Sequence, residues 1–168
     1  QTLFLACALV IPAVAGAEPK PAPKAGDVTK QKLGEAETRI VAHLHHVNLM
    51  EIQMGKLAQT NGTAAVKKYG KELVTDHTTA DKDLAAFAKK RGLARLPDEK
   101  AKSDIAKSEM KKQMGEMANL QKLKGADFDR EYLRMMVDGH DKELAATAGH
   151  QEASADDELD TMLENRKT

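Results

Sequence analysis

The sequence predicts an all-α fold, a bundle of long antiparallel helices joined by short turns. Apolar residues recur at the 3–4 spacing of a helix face over segments far longer than a strand. Proline is confined to the first 23 residues and Pro97, so nothing between Lys30 and Leu96 lacks the N–H a helix needs. No alternating apolar pattern runs past a few residues, and β-branched residues are few.

The elements follow in order. Helix A spans about 33–60, with Ile40, Leu44, Val47, Met54 and Ala58 on one face. Asn61-Gly62-Thr63 stops it and caps the next helix. Helix B spans about 63–91, with Val66, Tyr69, Leu73, Leu84 and Phe87 inward and Gly92 as its terminator. Helix C, about 98–123, carries Ala106, Met110, Met114, Met117 and Leu120 as a core stripe, with Gly125 closing it. Helix D begins near Asp127 and runs to about Gln151, with Leu133, Met136, Leu144 and Thr147 inward. A last helix starts behind Ser154 or Asp156 and is expected to be cut short at Thr168. A helix of about 28 residues is about 42 Å long and needs full-length neighbours to bury its stripe.

The first residues are apolar for about 13 positions and end in Ala15-Gly16-Ala17. That is a small-x-small cleavage pattern, too short to span a bilayer, which takes about 20 residues. Residues 1–17 are therefore expected to be an N-terminally clipped secretory signal. Residues 18–30, a Pro/Lys/Ala stretch, should be a linker, and 31–168 the helical domain. Cys7, the only cysteine, would leave with the signal, so neither a disulfide nor a thiolate ligand is available. The expected location is periplasmic or secreted, in a bacterium.

The 26 basic and 26 acidic side chains balance, giving no electrostatic footprint for nucleic acid. No integral span is expected after signal cleavage. A homo-oligomer is allowed, and no protein partner is specified. The chain lacks a Gly-rich phosphate loop, a G-x-S-x-G elbow and an H-E-x-x-H helix, so enzymatic activity is open, leaning towards none.

Three ionisable groups stand on apolar stripes. Glu51 is seven residues from both Leu44 and Ala58, so it faces their way. His77 lies on the face of Leu73, Ala80 and Leu84, and His140 is four residues from Met136 and from Leu144. Burying each alone is costly, so convergence is the economical arrangement. It can take two forms. One is a metal-free Glu–His hydrogen-bond network. The other is an ion held by Glu51, His77 and His140, whose nitrogen and oxygen donors suit zinc, iron, manganese or copper. Asp76, Asp81 and Glu143 are near enough in sequence to hold the imidazole N–H groups from an outer shell. His43, His45, His46 and Met50 form a further patch with copper-ligand chemistry, but a helical wheel puts His45 and His46 off the core stripe, as solvated side chains. Met110, Met114 and Met117 invite the same chemistry and are expected to be core filler.

The segments "NLMEIQMGKLA" (48–58), "YGKELVTDH" (69–77), "LAAFAKKRG" (84–92) and "GADFDREYLRMMVDGH" (125–140) resemble the family called domain of unknown function 4142. The resemblance covers about residues 36–168. It implies an exported bacterial protein with a ferritin-like antiparallel four-helix bundle. It also implies polar core positions at Glu51, His77 and His140, with a further histidine on the final helix beyond Thr168. Asn48, Gly55, Asp76, Phe128, Asp129 and Tyr132 match the family pattern too. The resemblance implies no reaction. The Glu-x-x-His pairs of di-iron ferritins are missing, because Val74 and Val137 stand three before His77 and His140. Helix C would then be the crossover between two hairpins.

Overall fold

A computed structural model describes residues 32–100 and 103–165. The expected signal and linker lie outside the described residues. Five helices follow in order: α1 (Glu35–Asn61), α2 (Ala64–Lys90), α3 (Asp104–Leu120), α4 (Gly125–Ala153) and α5 (Asp157–Glu164). The described residues contain no strand. No helix among them is long and apolar enough to cross a membrane.

The helix ends have local causes. α1 stops at Gly62, and α2 starts behind Thr63. The Thr63 side chain does not cap its own helix. Its backbone N–H and its hydroxyl both donate to the Asp129 carboxylate, at 3.0 and 2.5 Å. Gly92, at φ +87°, closes α2: Leu93 N–H donates to Ala88 O at 2.9 Å, the six-to-one bond of a left-handed C-terminal cap. α3 starts at Asp104, later than the periodicity suggests, where the Ser103 hydroxyl accepts the Ala106 N–H. α4 starts at Gly125 itself, at φ +56°, so Asp127 sits in its first turn rather than capping it. Of the two candidate caps for the last helix, Asp156 is the one used. Its carboxylate accepts from the N–H groups of Glu158 and Leu159 at 3.0 Å.

α1 and α2 form the tightest pair. A Cβ built on Gly55 would stand 2.6 Å from Gly70 O, and one on Gly70 would stand 2.6 Å from Gly55 O and from Ala58 Cβ. Gln59 Nε2 bridges both carbonyls, at 3.3 Å each. At this end of the pair Asn61 Nδ2 donates to Gln121 O and Leu123 O at 3.1 and 3.0 Å. With Thr63–Asp129, this ties the α1–α2 turn to the α3–α4 turn.

The apolar core divides in two. One cluster joins Ile40, Val41 and Leu44 of α1, Leu84, Phe87 and Ala88 of α2, and Leu159 and Leu163 of α5. The other joins Met54, Ala58, Val66, Leu73, Leu120, Phe128, Tyr132 and Met136. Between them α1 presents Asn48 and Glu51, α2 presents His77, and α4 presents His140 and Glu143. The apolar stripes are thus interrupted at one level of all three helices.

Three expectations about packing are corrected. On α4, Leu133 and Leu144 are about half exposed, at 48% and 49%, and the buried residues are Phe128, Tyr132, Met136 and Thr147. Tyr69 lies at the surface edge. The methionine stripe of α3 is not core: Met114 is 67% exposed, Met110 and Met117 are half-buried, and Leu120 is the buried residue of that helix. A stripe shows where a helix could pack. How much of it is covered depends on how far the neighbour reaches, and α3 meets the second cluster through its last turn.

Candidate functional site

A cavity of about 430 Å³ opens at the interrupted level, between α1, α2 and α4. Glu51, Asp76, His77, His140 and Glu143 all line it, together with Asn165. α1 packs against both α2 and α4, and the cavity opens in the seam between those two. Glu51 and His77 are half-buried and His140 is exposed, rather than sealed in an apolar seam. Among the described residues, no group of three or more His, Cys, Asp or Glu stands close enough together to hold a metal ion.

Both cavity imidazoles have fixed tautomers. Asn48 is fully buried on α1. Its Nδ2 donates to Asp81 Oδ1 at 3.3 Å, which orients its Oδ1 to accept from His77 Nδ1–H at 3.1 Å. His140 Nδ1–H donates to Met136 O, one turn back, at 2.8 Å. In the neutral form each ring therefore carries its in-plane lone pair on Nε2, the atom a metal or an acidic proton would meet. Asp81 acts on His77 through Asn48. Its direct imidazole partner is His45, whose Nδ1 lies 2.7 Å away.

Glu143 likewise holds a different histidine. His43 Nε2 lies 3.0 Å from Glu143 Oε2, and His43 Nδ1 lies 3.0 Å from Glu99 Oε1. With a carboxylate on each nitrogen the ring is an imidazolium. Burial alone would lower its pKa, but the hydrogen bonds and charges of Glu143 and Glu99 outweigh it and raise the value to about 9. His150 packs edge-on against His43, centroids 4.8 Å apart, and is pushed down by burial and by the His43 charge. His43, His45 and His46 are thus half-buried and faced by carboxylates, not solvated. A wheel drawn for α1 alone could not show that Glu99, Asp81 and Glu143 approach from three other segments.

His43 gives a signed prediction. Its folded pKa lies above the unfolded value, so its stabilisation is complete below pH 6.5 and is lost as pH rises through about 9. Wild-type protein should lose on the order of 2 kcal/mol over that interval, and His43→Gln should lose much less. Urea unfolding of both proteins across the interval measures it.

Two tyrosines complete the surroundings. Tyr132 is fully buried, stacked on Phe128 at 5.3 Å and edge-on to Tyr69 at 6.3 Å. Burial first, then Tyr69 and the Glu51 carboxylate, push its hydroxyl far up, and burial and then Glu51 also raise that of Tyr69. Both phenols therefore stay protonated within reach of the Glu51 field. Sequence reasoning takes Tyr69 only as a core residue and Tyr132 only as a family match, and Asn48 carries no signal beyond that match.

Fold and site define a class: an all-helical domain whose core is divided by a cavity lined by three carboxylates, Glu51, Asp76 and Glu143, and two tautomer-fixed imidazoles. A model of the family described as Domain of unknown function (DUF4142) matches residues 22–168, and the chain belongs to that family. No curated protein and no solved structure matches it.

Proposed function

We propose that the protein is a ferritin-like four-helix bundle that binds a transition-metal ion at Glu51, His77 and His140. In this arrangement α1 and α2 are one hairpin, α4 and α5 the other, and α3 the crossover between them. The observation that carries the reading is the pair of fixed tautomers. Asn48 and the Met136 carbonyl hold the Nδ1–H of His77 and His140, and both rings line one cavity with Glu51. This is the outer-shell arrangement that orients imidazole ligands. The donor set, nitrogen and oxygen without sulfur, fits zinc, iron, manganese or copper(II). Asp76 lines the same cavity and adds negative charge near the ion.

The half-buried and exposed positions of these side chains describe a site that closes on its ion. A rotamer change of Glu51 and a small shift of α4 would bring the donors together, with His77 still held by Asn48 and His140 by the Met136 carbonyl. An ion there would neutralise the Glu51 charge and link α1, α2 and α4. We assign no reaction. The apolar run ending at Ala15-Gly16-Ala17 supports export, and with it a role in metal handling or stress protection in the cell envelope.

A second reading keeps the same residues without an ion, as the hydrogen-bonded polar layer of a structural or interaction module. It is favoured by the lack of a preassembled group of three ligands among the described residues. Elemental analysis of protein purified without a histidine tag separates the two. The metal reading expects a stoichiometric ion that His77→Ala or His140→Ala removes. Metal-free protein that gains no thermal stability from added zinc, iron, manganese or copper would leave the second reading in place.

A further inference from the structure

Two methionine-bearing features that the cavity above does not use meet in the fold. α1 supplies His46 and Met50, and α3 supplies Met110, Met114 and Met117. All five line a separate cavity of about 380 Å³ between these helices. The rest of its lining is glutamine and alanine, with no carboxylate, lysine or arginine. Met117 also leans on the second core cluster, but core packing does not account for the others: Met114 is 67% exposed, and Met50 and Met110 are half-buried.

The chemistry of the lining selects its ligand. A thioether is a neutral, soft donor with no proton to lose. It is poor for magnesium, manganese or zinc and good for Cu(I). The lining itself offers a hard dication no oxyanion, and a soft monocation needs none; Glu99 faces the cavity's His46 edge, 4.0 Å from Nε2. Methionine also has three rotatable bonds, so thioethers lining one cavity from two helices can adjust towards a common ion. His46 adds an imidazole nitrogen, a donor that copper also accepts.

We propose that this cavity binds Cu(I), or Ag(I) as its surrogate, through the thioethers of Met50, Met110, Met114 and Met117, with His46 as auxiliary donor. The site shares no donor with Glu51, His77 and His140 and lies between α1 and α3. Because thioethers do not titrate, sulfur-based affinity holds at acid pH, where imidazole and carboxylate sites release their ions.

The test is anaerobic competition for Cu(I) between the purified chain and a chromogenic Cu(I) chelator. Wild-type protein should withdraw a single equivalent. The Met50→Leu/Met110→Leu/Met114→Leu/Met117→Leu variant keeps side-chain volume nearly unchanged. Loss of even an outer-shell partner costs about 10–100-fold in affinity, so loss of these donors should cost at least that. The His77→Ala/His140→Ala variant should bind Cu(I) as wild type does, whatever becomes of its affinity for other metals. Excess Zn(II) should not displace the ion. If the fourfold variant does not fold by circular dichroism, the surface substitution Met114→Leu is read in its place and should bind measurably more weakly. Wild-type protein that leaves Cu(I) on the chelator overturns the proposal. So does a folded leucine variant that binds as tightly as wild type.

Discussion

Asp156→Ala should lower stability by about 3 kcal/mol, or roughly 10 °C in Tm, because it removes two functions at once. The first is the N-cap of α5. An eight-residue helix has no independent stability, so the two N–H groups that Asp156 accepts matter to it. The second is the partner of a buried cation. The Arg91 side chain is 2% exposed, with Nε 2.7 Å from Asp156 Oδ2 and Nη2 3.1 Å from Oδ1, and its guanidinium lies 5.1 Å from the Phe87 ring centroid. Deleting one member of a buried pair costs about 3–5 kcal/mol, and Arg91 keeps Glu158 at 3.2 Å, which places the loss at the lower end. Leu159 and Leu163, both fully buried, would undock with the helix. Asp156→Asn keeps a good capping side chain and should fall between wild type and alanine. Thermal unfolding ranks the three proteins. Equal Tm values would show that α5 does not depend on this pair.

The same carboxyl adds an acid limit. Burial acts to raise its pKa, but Arg91 and the Leu159 and Glu158 N–H groups hold it below 3.8. Its stabilisation is therefore present above the unfolded value and is lost as pH falls through the folded one.

Gly70→Leu should cost at least about 3 kcal/mol and separate α1 from α2. The Cβ alone would meet Gly55 O and Ala58 Cβ at 2.6 Å, one a backbone atom and the other rigidly attached to backbone. Neither can swing aside. Gly70→Ala places that same Cβ, so about 1–3 kcal/mol of overpacking outweighs the roughly 1 kcal/mol gained in helix propensity, and the variant should be destabilised, though less than leucine. Gly149→Ala is the control, since nothing stands within 4 Å of its Cβ position. It should stabilise by about 0.5–1 kcal/mol. Denaturant unfolding of the three variants gives the order. A Gly70→Leu protein as stable as wild type would mean that the close approach of the two helices is not a constraint.

The sequence makes some of this legible. Long apolar periodicity and the Gly62 and Gly92 breaks locate α1 and α2, because helix termination is local chemistry. Asp156 stands out for the same reason: a capping acid is recognised from its own next three residues. Glu51, His77 and His140 are visible as polar interruptions of apolar stripes, and they do line one cavity. Their surroundings are not visible. Asn48 reaches Asp81 and His77 across 33 and 29 residues, and His43 reaches Glu143 across 100. Nothing local marks either residue. The openness of the cavity is equally hidden, because it depends on how closely α4 approaches α2. α3 shows the limit of periodicity: its methionines have helical spacing, yet the helix turns most of them to a cavity and to solvent.

In the proposed metal site His77 and His140 present Nε2 to a single ion. Long-range ¹H–¹⁵N correlation of the imidazoles, followed through a zinc titration, tests it most directly. Both rings should be Nδ1–H tautomers before zinc is added, and their Nε2 resonances should move together and stop moving at one common equivalence point. Nε2 signals that stay in place, or that respond to zinc at separate equivalence points, would contradict it.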